Sequence, residues 1–150
     1  MFWLKLVDKI VALRKRRYLK TFKSVGRDCV VLGDRMELGG KLHLGDAVTL
    51  GNNLVLHTNR KGVLYIGSRT VLSDYAMIHS NDRVEIGEDC YVGPYCVLRD
   101  SNHVFQGTDA HWRYTPLITK PIAVGPGCFL GAHSYLMPGV TLGEGAVILP

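Results

Sequence analysis

Along most of the chain an isoleucine, leucine or valine returns every sixth residue. After a solitary Val25 come Leu32, Leu38, Leu44, Leu50 and Leu56, and a second run holds Ile66, Leu72, Ile78 and Val84. A third holds Ile86, Val92 and Leu98, and a fourth Val124, Leu130, Leu136, Leu142 and Ile148. A fixed short period marks a repeat architecture, in which each unit buries its apolar residue by stacking on its neighbours.

The position after the aliphatic is glycine in 11 of these 18 cases, Gly33, Gly45, Gly67, Gly93 and Gly131 among them. Glycine tolerates turn conformations, so one glycine per six residues predicts a turn per six. The unit is then a short strand and a corner, and three units make a triangular coil of 18 residues. Residues 25–150, less the loops, predict about six coils. The fifth position of the unit is small or medium throughout: Cys29, Val48, Thr70, Ala76, Cys90, Cys96, Cys128, Ser134, Val140 and Ala146. All four cysteines fall in this register, which makes them small buried hydrophobes, reduced as in a cytoplasm.

The pattern breaks three times, and breaks in a solenoid are where function is sought. A small insertion separates Leu56 from Ile66, a two-residue slip separates Val84 from Ile86, and a long excursion runs from Val104 to Pro121. The excursion, residues 104–121, follows Arg99-Asp100-Ser101-Asn102-His103 and contains Gln106, His111, Trp112, Arg113 and Tyr114. Its length is that of a functional loop. At the other end, residues 1–24 predict a short amphipathic basic helix. Phe2, Trp3, Leu6, Val7, Ile10 and Leu13 share one face, with Lys5, Asp8, Lys9, Lys15 and Arg16 opposite. It would cap the solenoid's open end or, through Arg14-Lys15-Arg16-Arg17, touch an anionic membrane.

Charge changes this picture little. Lys and Arg outnumber Asp and Glu by 18 to 13, but Lys5 to Lys23 alone holds eight basic residues and one acid. The body lacks the basic, aromatic-interleaved groove of a nucleic-acid binder, so none is expected as a partner. No run of 18 apolar residues spans a bilayer, and the N-terminal charges follow the apolar part, an order unlike that of a secretory signal. A cytoplasmic location is expected, with the inner face of the membrane as a variant of it.

Residues 25–150, and most of all Ile66 to Leu149, resemble the hexapeptide-repeat acetyltransferases, which include galactoside, maltose and polysaccharide O-acetyltransferases. The resemblance implies that this all-β fold, with its short N-terminal helix and one long extruded loop, is a left-handed parallel β-helix. It also implies acetyl-CoA as cosubstrate, a hydroxyl of a sugar or polysaccharide precursor as acceptor, and a homotrimer. His103, just before the loop, matches the family's catalytic base; imidazole, with an ordinary pKa of about 6.5, can take a hydroxyl proton near neutral pH. His111 is the rival base. His43, His57, His79 and His133 lie on the repeat and are expected at the surface or between subunits. The resemblance points to the Ala132 amide for the oxyanion and to Phe129, Gly131 and Ala132 along the pantetheine arm. Lys120 and Arg113 are assigned to its phosphates on charge alone. Ser73, Asp74, Asn81 and Asn102 are the acceptor-side candidates, and Ser73 stands where galactoside acetyltransferases have an asparagine, so the acceptor does not carry over. The sequence ends at Pro150, before the coil and tail with which members usually help close the coenzyme site, which implies a shortened chain or an impaired activity.

Two other readings share the architecture. A γ-type carbonic anhydrase needs three zinc-binding histidines, two of them five residues apart, and the six histidines include no such pair, so no metal is expected. A non-catalytic scaffold subunit is the other, and it gives the long excursion no task.

Overall fold

A hexapeptide aliphatic is buried only if the next coil lies directly on it, and the computed structural model, which describes residues 12–13, 16–104 and 111–150, has that arrangement. Expectations for Phe2, Trp3, Leu6, Val7, Ile10 and Gln106 lie outside these residues. Face A carries β1 (Ser24–Val25), β4 (Leu42–Leu44), β7 (Val63–Ile66), β10 (Arg83–Ile86), β15 (Ile122–Val124) and β18 (Thr141–Leu142). Face B carries β2 (Val30–Val31), β5 (Thr49–Leu50), β8 (Val71–Leu72), β11 (Tyr91–Val92), β16 (Phe129–Leu130) and β19 (Val147–Ile148). Face C carries β3 (Met36–Gly39), β6 (Leu54–Thr58), β9 (Met77–Ser80), β12 (Val97–Arg99) and β17 (Tyr135–Leu136). Every pairing within a face is parallel and in register, so Leu44, Ile66, Ile86, Val124 and Leu142 form one column and Leu42, Leu64, Val84 and Ile122 another. These are the six turns of a left-handed parallel β-helix. Leu50, Leu56, Leu72, Ile78, Leu98 and Leu130 are fully buried, and burying each stabilises the coil by roughly 1.5–3 kcal/mol.

The glycines serve a different purpose from the one their conformational freedom suggests. The left-handed turn residue falls two positions later, at Asp28, Ala47, Asn53, Arg69, Tyr75, Asp89, Tyr95 and His133, with φ between 52 and 62°. The glycine after the aliphatic is required by stacking: a Cβ on Gly67 would lie 2.4 Å from the Gly87 carbonyl carbon and 2.5 Å from the Glu88 nitrogen of the next coil. Gly143 has nothing within 4 Å of the same position. Gly67→Ala should therefore cost about 1–3 kcal/mol, as overpacking does, and Gly143→Ala less than about 0.5 kcal/mol, both read by urea denaturation.

The small interior column does more than fill a taper. The thiols of Cys29, Cys90, Cys96 and Cys128 donate to the carbonyls of Gly45, Gly125, Gly131 and Gly143 at 3.1–3.2 Å, and the Thr70 hydroxyl donates to Gly87 at 2.8 Å. Each bond ties one coil to the corner of the next. Burial pushes the Cys90 and Cys96 thiols above their ordinary pKa, which keeps them protonated donors.

All three interruptions share one corner, between face C and face A. The slip expected between Val84 and Ile86 is not there, because both side chains point inward, 0% and 2% exposed, two apart on one strand. Its extra residues sit earlier, in the bend at Asn81–Asp82 between β9 and β10. At the N-terminal end, residues 16–19 are helical, Tyr18 and Leu19 pack on the core, Phe22 is buried, and the Tyr18 hydroxyl donates to the Asp34 carbonyl at 2.8 Å. Among the described residues no helix is long and apolar enough to cross a membrane.

Candidate active site

The C–A corner above β12 is where the chain leaves the prism. Leu98 points inward, so strand alternation turns Asp100 inward too, and its side chain is fully buried. Its carboxyl oxygens accept from the Ser80 hydroxyl at 3.0 Å and from the backbone amides of Asn81 (2.8 Å), Asp82 (2.8 Å) and Arg83 (3.0 Å) in the coil below. The Asp100 carbonyl accepts from the Lys120 amide at 2.8 Å, where the excursion returns. Asp100 thus clamps both ends of the loop to the prism. Sequence reasoning misses this role; the signal that could find it is position two after the face C aliphatic, which reads Thr58, Ser80, Asp100, since an acid there must find donors.

From this clamp the chain rises as an antiparallel hairpin, β13 (Ser101–His103) against β14 (Leu117–Thr119), with His103 opposite Leu117. His103 is half-buried, and its Nδ1 lies 3.1 Å from the Thr115 carbonyl oxygen and 3.3 Å from the Thr115 hydroxyl. A carbonyl only accepts, so Nδ1 carries a proton, and in the neutral imidazole the lone pair is then on Nε2. That is the tautomer a general base needs. Arg113 lies in a 3-10 helix, Trp112–Tyr114, and its amide donates to Nδ1 of His111 at 3.3 Å.

The other sequence candidates divide between two corners. Asn81 and Asn102 stand beside His103: the Asn81 amide donates to the Ser101 hydroxyl at 2.7 Å, and the His103 backbone N–H to the Asn102 side chain at 2.9 Å. Lys120 is exposed, its stem packed over Gly139. Ser73, Asp74, Gly131 and Ala132 lie at the B–C corner, across the width of face C from His103. There Asp74 accepts from the Asn52 amide at 2.7 Å, a coil-to-coil bond. Phe129 is on face B, 41% exposed and stacked on Tyr91 with ring centroids 5.0 Å apart.

Beside the C–A corner, His57 and His79 stack with centroids 5.9 Å apart, and Arg99 continues their column. Burial, then the charges of Arg99 and His57, hold the His79 imidazole below its ordinary pKa. The unfolded chain, titrating near about 6.5, takes this proton first, so the associated stability is present above that pH and lost as pH falls below it. His79→Gln should flatten the fall in thermal midpoint between about pH 7.5 and 5.5. Among the described residues no group of three or more His, Cys, Asp or Glu could hold a metal ion.

Comparison with known proteins agrees with the repeat and the coil. The family described as "Hexapeptide repeat of succinyl-transferase" matches residues 121–148. A probable acetyltransferase of Mycobacterium tuberculosis is 25% identical over 88 residues, 59% of this chain and 29% of that protein. WcaF of Escherichia coli K12, an acetyltransferase assigned to colanic acid biosynthesis, is 26% identical over 81 residues, 53% of this chain and 44% of its own. The chain spans less than half the length of these relatives. Among solved structures, a point mutant of AntD, an N-acyltransferase from Bacillus cereus in complex with dTDP and coenzyme A, superposes with a TM-score of 0.76 at 20% identity, covering 89% of this chain and 74% of that one. Galactoside acetyltransferase in complex with coenzyme A gives 0.51 at 20% identity, covering 91% and 56%. By repeat, coil and relatives, the chain is similar to the hexapeptide-repeat proteins among which these acyltransferases are found.

Proposed function

We propose that the protein is an acyltransferase that moves an acyl group, acetyl in the first instance, from acetyl-CoA to a hydroxyl of a sugar or polysaccharide precursor. The observation that carries this is His103: an imidazole at the root of the excursion, held through Nδ1 by the Thr115 carbonyl, with Nε2 proposed as the base. In the proposed step Nε2 removes the hydroxyl proton as that oxygen attacks the thioester carbonyl. The tetrahedral intermediate collapses, the C–S bond breaks, and the imidazolium returns the proton to the departing thiolate. A backbone amide, for which Ala132 is the candidate, stabilises the oxyanion.

His103 and Ala132 stand at opposite edges of face C within one chain. We therefore propose a homotrimer in which the B–C corner of one copy, with Gly131 and Ala132 for the coenzyme, faces the C–A corner of the next, with His103 for the acceptor, and the two complete one active site. Light scattering should return three times the chain mass, and a monomer would remove this part of the reading. The activity is tested by thiol release from acetyl-CoA with and without sugar acceptors. Release that depends on a hydroxyl acceptor supports it; release with amino sugars alone makes the enzyme an N-acyltransferase, and release with neither favours a scaffold.

A further inference from the structure

Charge is divided between the corners of the prism. At the A–B corner, Asp28, Asp46, Glu88, Asp89 and Glu144 face only Arg27 and Arg69, and both arginines are paired: Arg27 with Asp46 at 3.2 Å, Arg69 with Glu88 and Asp89 at 2.7 and 2.6 Å. At the C–A corner the balance reverses. Lys41, Arg60, Lys61, Arg99 and Lys120 are all exposed, and none makes an ion pair among the described residues. Arg83 stands on the same corner, paired with Glu85 on its own strand. The only described acids at its bends are Asp82 and the buried Asp100, whose carboxyl oxygens are already taken by donors from the coil below. The two corners have the same strand spacing and come from one chain. The unpaired cations therefore reflect which residues the C–A bends carry, and like charges stacked this way repel until an anion meets them.

Their arrangement is a line. Lys41, then Arg60 with Lys61, then Arg83 at the start of β10, then Arg99 at the end of β12 with Lys120 lie in or beside this corner on four successive coils, and coils stack about 4.8 Å apart, so the line is roughly 14 Å long. It ends at the clamp from which the His103 hairpin rises. A single anionic group would need one or two of these cations. A row repeating with the coil fits a ligand whose negative charges also repeat along its length.

We propose that the C–A corner is an acceptor track, and that the acyl acceptor is an acidic oligosaccharide lying along it with its reactive hydroxyl at His103. This rests on the acyltransferase reading above and adds the class of acceptor. The coenzyme's phosphates offer the same chemistry, so the test separates the two. The probes are a short sulfated dextran and the uncharged dextran of equal length, titrated calorimetrically into the full chain at low and moderate salt with no acyl donor present. The sulfated probe should bind, more weakly as salt rises, and the neutral one should not. Arg60→Ala with Lys61→Ala should weaken that binding about tenfold, which corresponds to ~1.4 kcal/mol. Arg27→Ala with Arg69→Ala, the same change in net charge on the other corner, should leave it unchanged.

In the transfer assay the Arg60/Lys61 pair of substitutions should raise KM for an acidic acceptor and leave KM for acetyl-CoA alone. Equal weakening by both double variants would reduce the track to net charge and overturn it. A rise in KM for acetyl-CoA instead would assign the corner to the coenzyme and overturn it as well. Site-specific binding without any transfer would sink the acyltransferase reading and leave the polyanion track standing.

Discussion

Replacing His103 with alanine should lower acyl transfer by roughly 10²–10⁴-fold, the usual contribution of a positioned general base. KM for acetyl-CoA should change little, because nothing in the geometry puts the imidazole on the coenzyme's binding groups. The thermal midpoint should also hold: His103 sits on a hairpin outside the stacked core, half-buried, and its side chain bonds to Thr115 of the same excursion. Thiol release at saturating acetyl-CoA measures the loss. Full-rate transfer by the alanine variant would remove the proposed mechanism, and His111→Ala, run beside it, reads the rival base directly.

Asp100→Ala should produce the largest loss of stability among single substitutions at the site. It leaves the amides of Asn81, Asp82 and Arg83 without their acceptor at a buried position, while the Ser80 hydroxyl keeps the Val63 carbonyl at 3.0 Å. Each stranded buried donor costs about 1–3 kcal/mol, and relaxation of the bend recovers part of that. A net loss of about 3–5 kcal/mol would lower the thermal midpoint by on the order of 10 °C in a chain of this size. Transfer should fall even where the variant is still folded, since the hairpin bearing His103 is anchored through Asp100 and Lys120. Asp100→Asn, which keeps one acceptor oxygen, should fall between the two. Differential scanning calorimetry together with kcat measured well below the midpoint separates the two effects.

The repeat phase was legible because it is enforced by stacking: once Leu50 and Leu72 are columns, Val92 and Leu130 must be too. What single-chain periodicity could not convey was what the neighbouring coil demands. The period alone makes the glycine after the aliphatic a turn former, yet Ala47, Tyr75 and His133 do the turning and Gly67 makes room for Gly87. A six-residue count puts the slip after Val84 because it cannot see that Val84 and Ile86 point the same way on one longer strand. His103 stood out through its place before the excursion. Asp100 did not, since its importance depends on three amides some twenty residues earlier, which only the coil brings together. The separation of His103 from Gly131 and Ala132 by the width of a face was equally invisible in one dimension.

The long excursion leaves the pairing around it untouched: Val84, Glu85 and Ile86 lie against Ile122, Ala123 and Val124 as though the hairpin were absent. The free energy of closing such a loop grows only with the logarithm of its length, about 0.6 kcal/mol for each doubling. Insertions at this bend are therefore nearly neutral for the rest of the molecule. A lineage could exchange one acceptor for another by rewriting those residues alone, with the prism carried over unaltered as the frame on which each new specificity is hung.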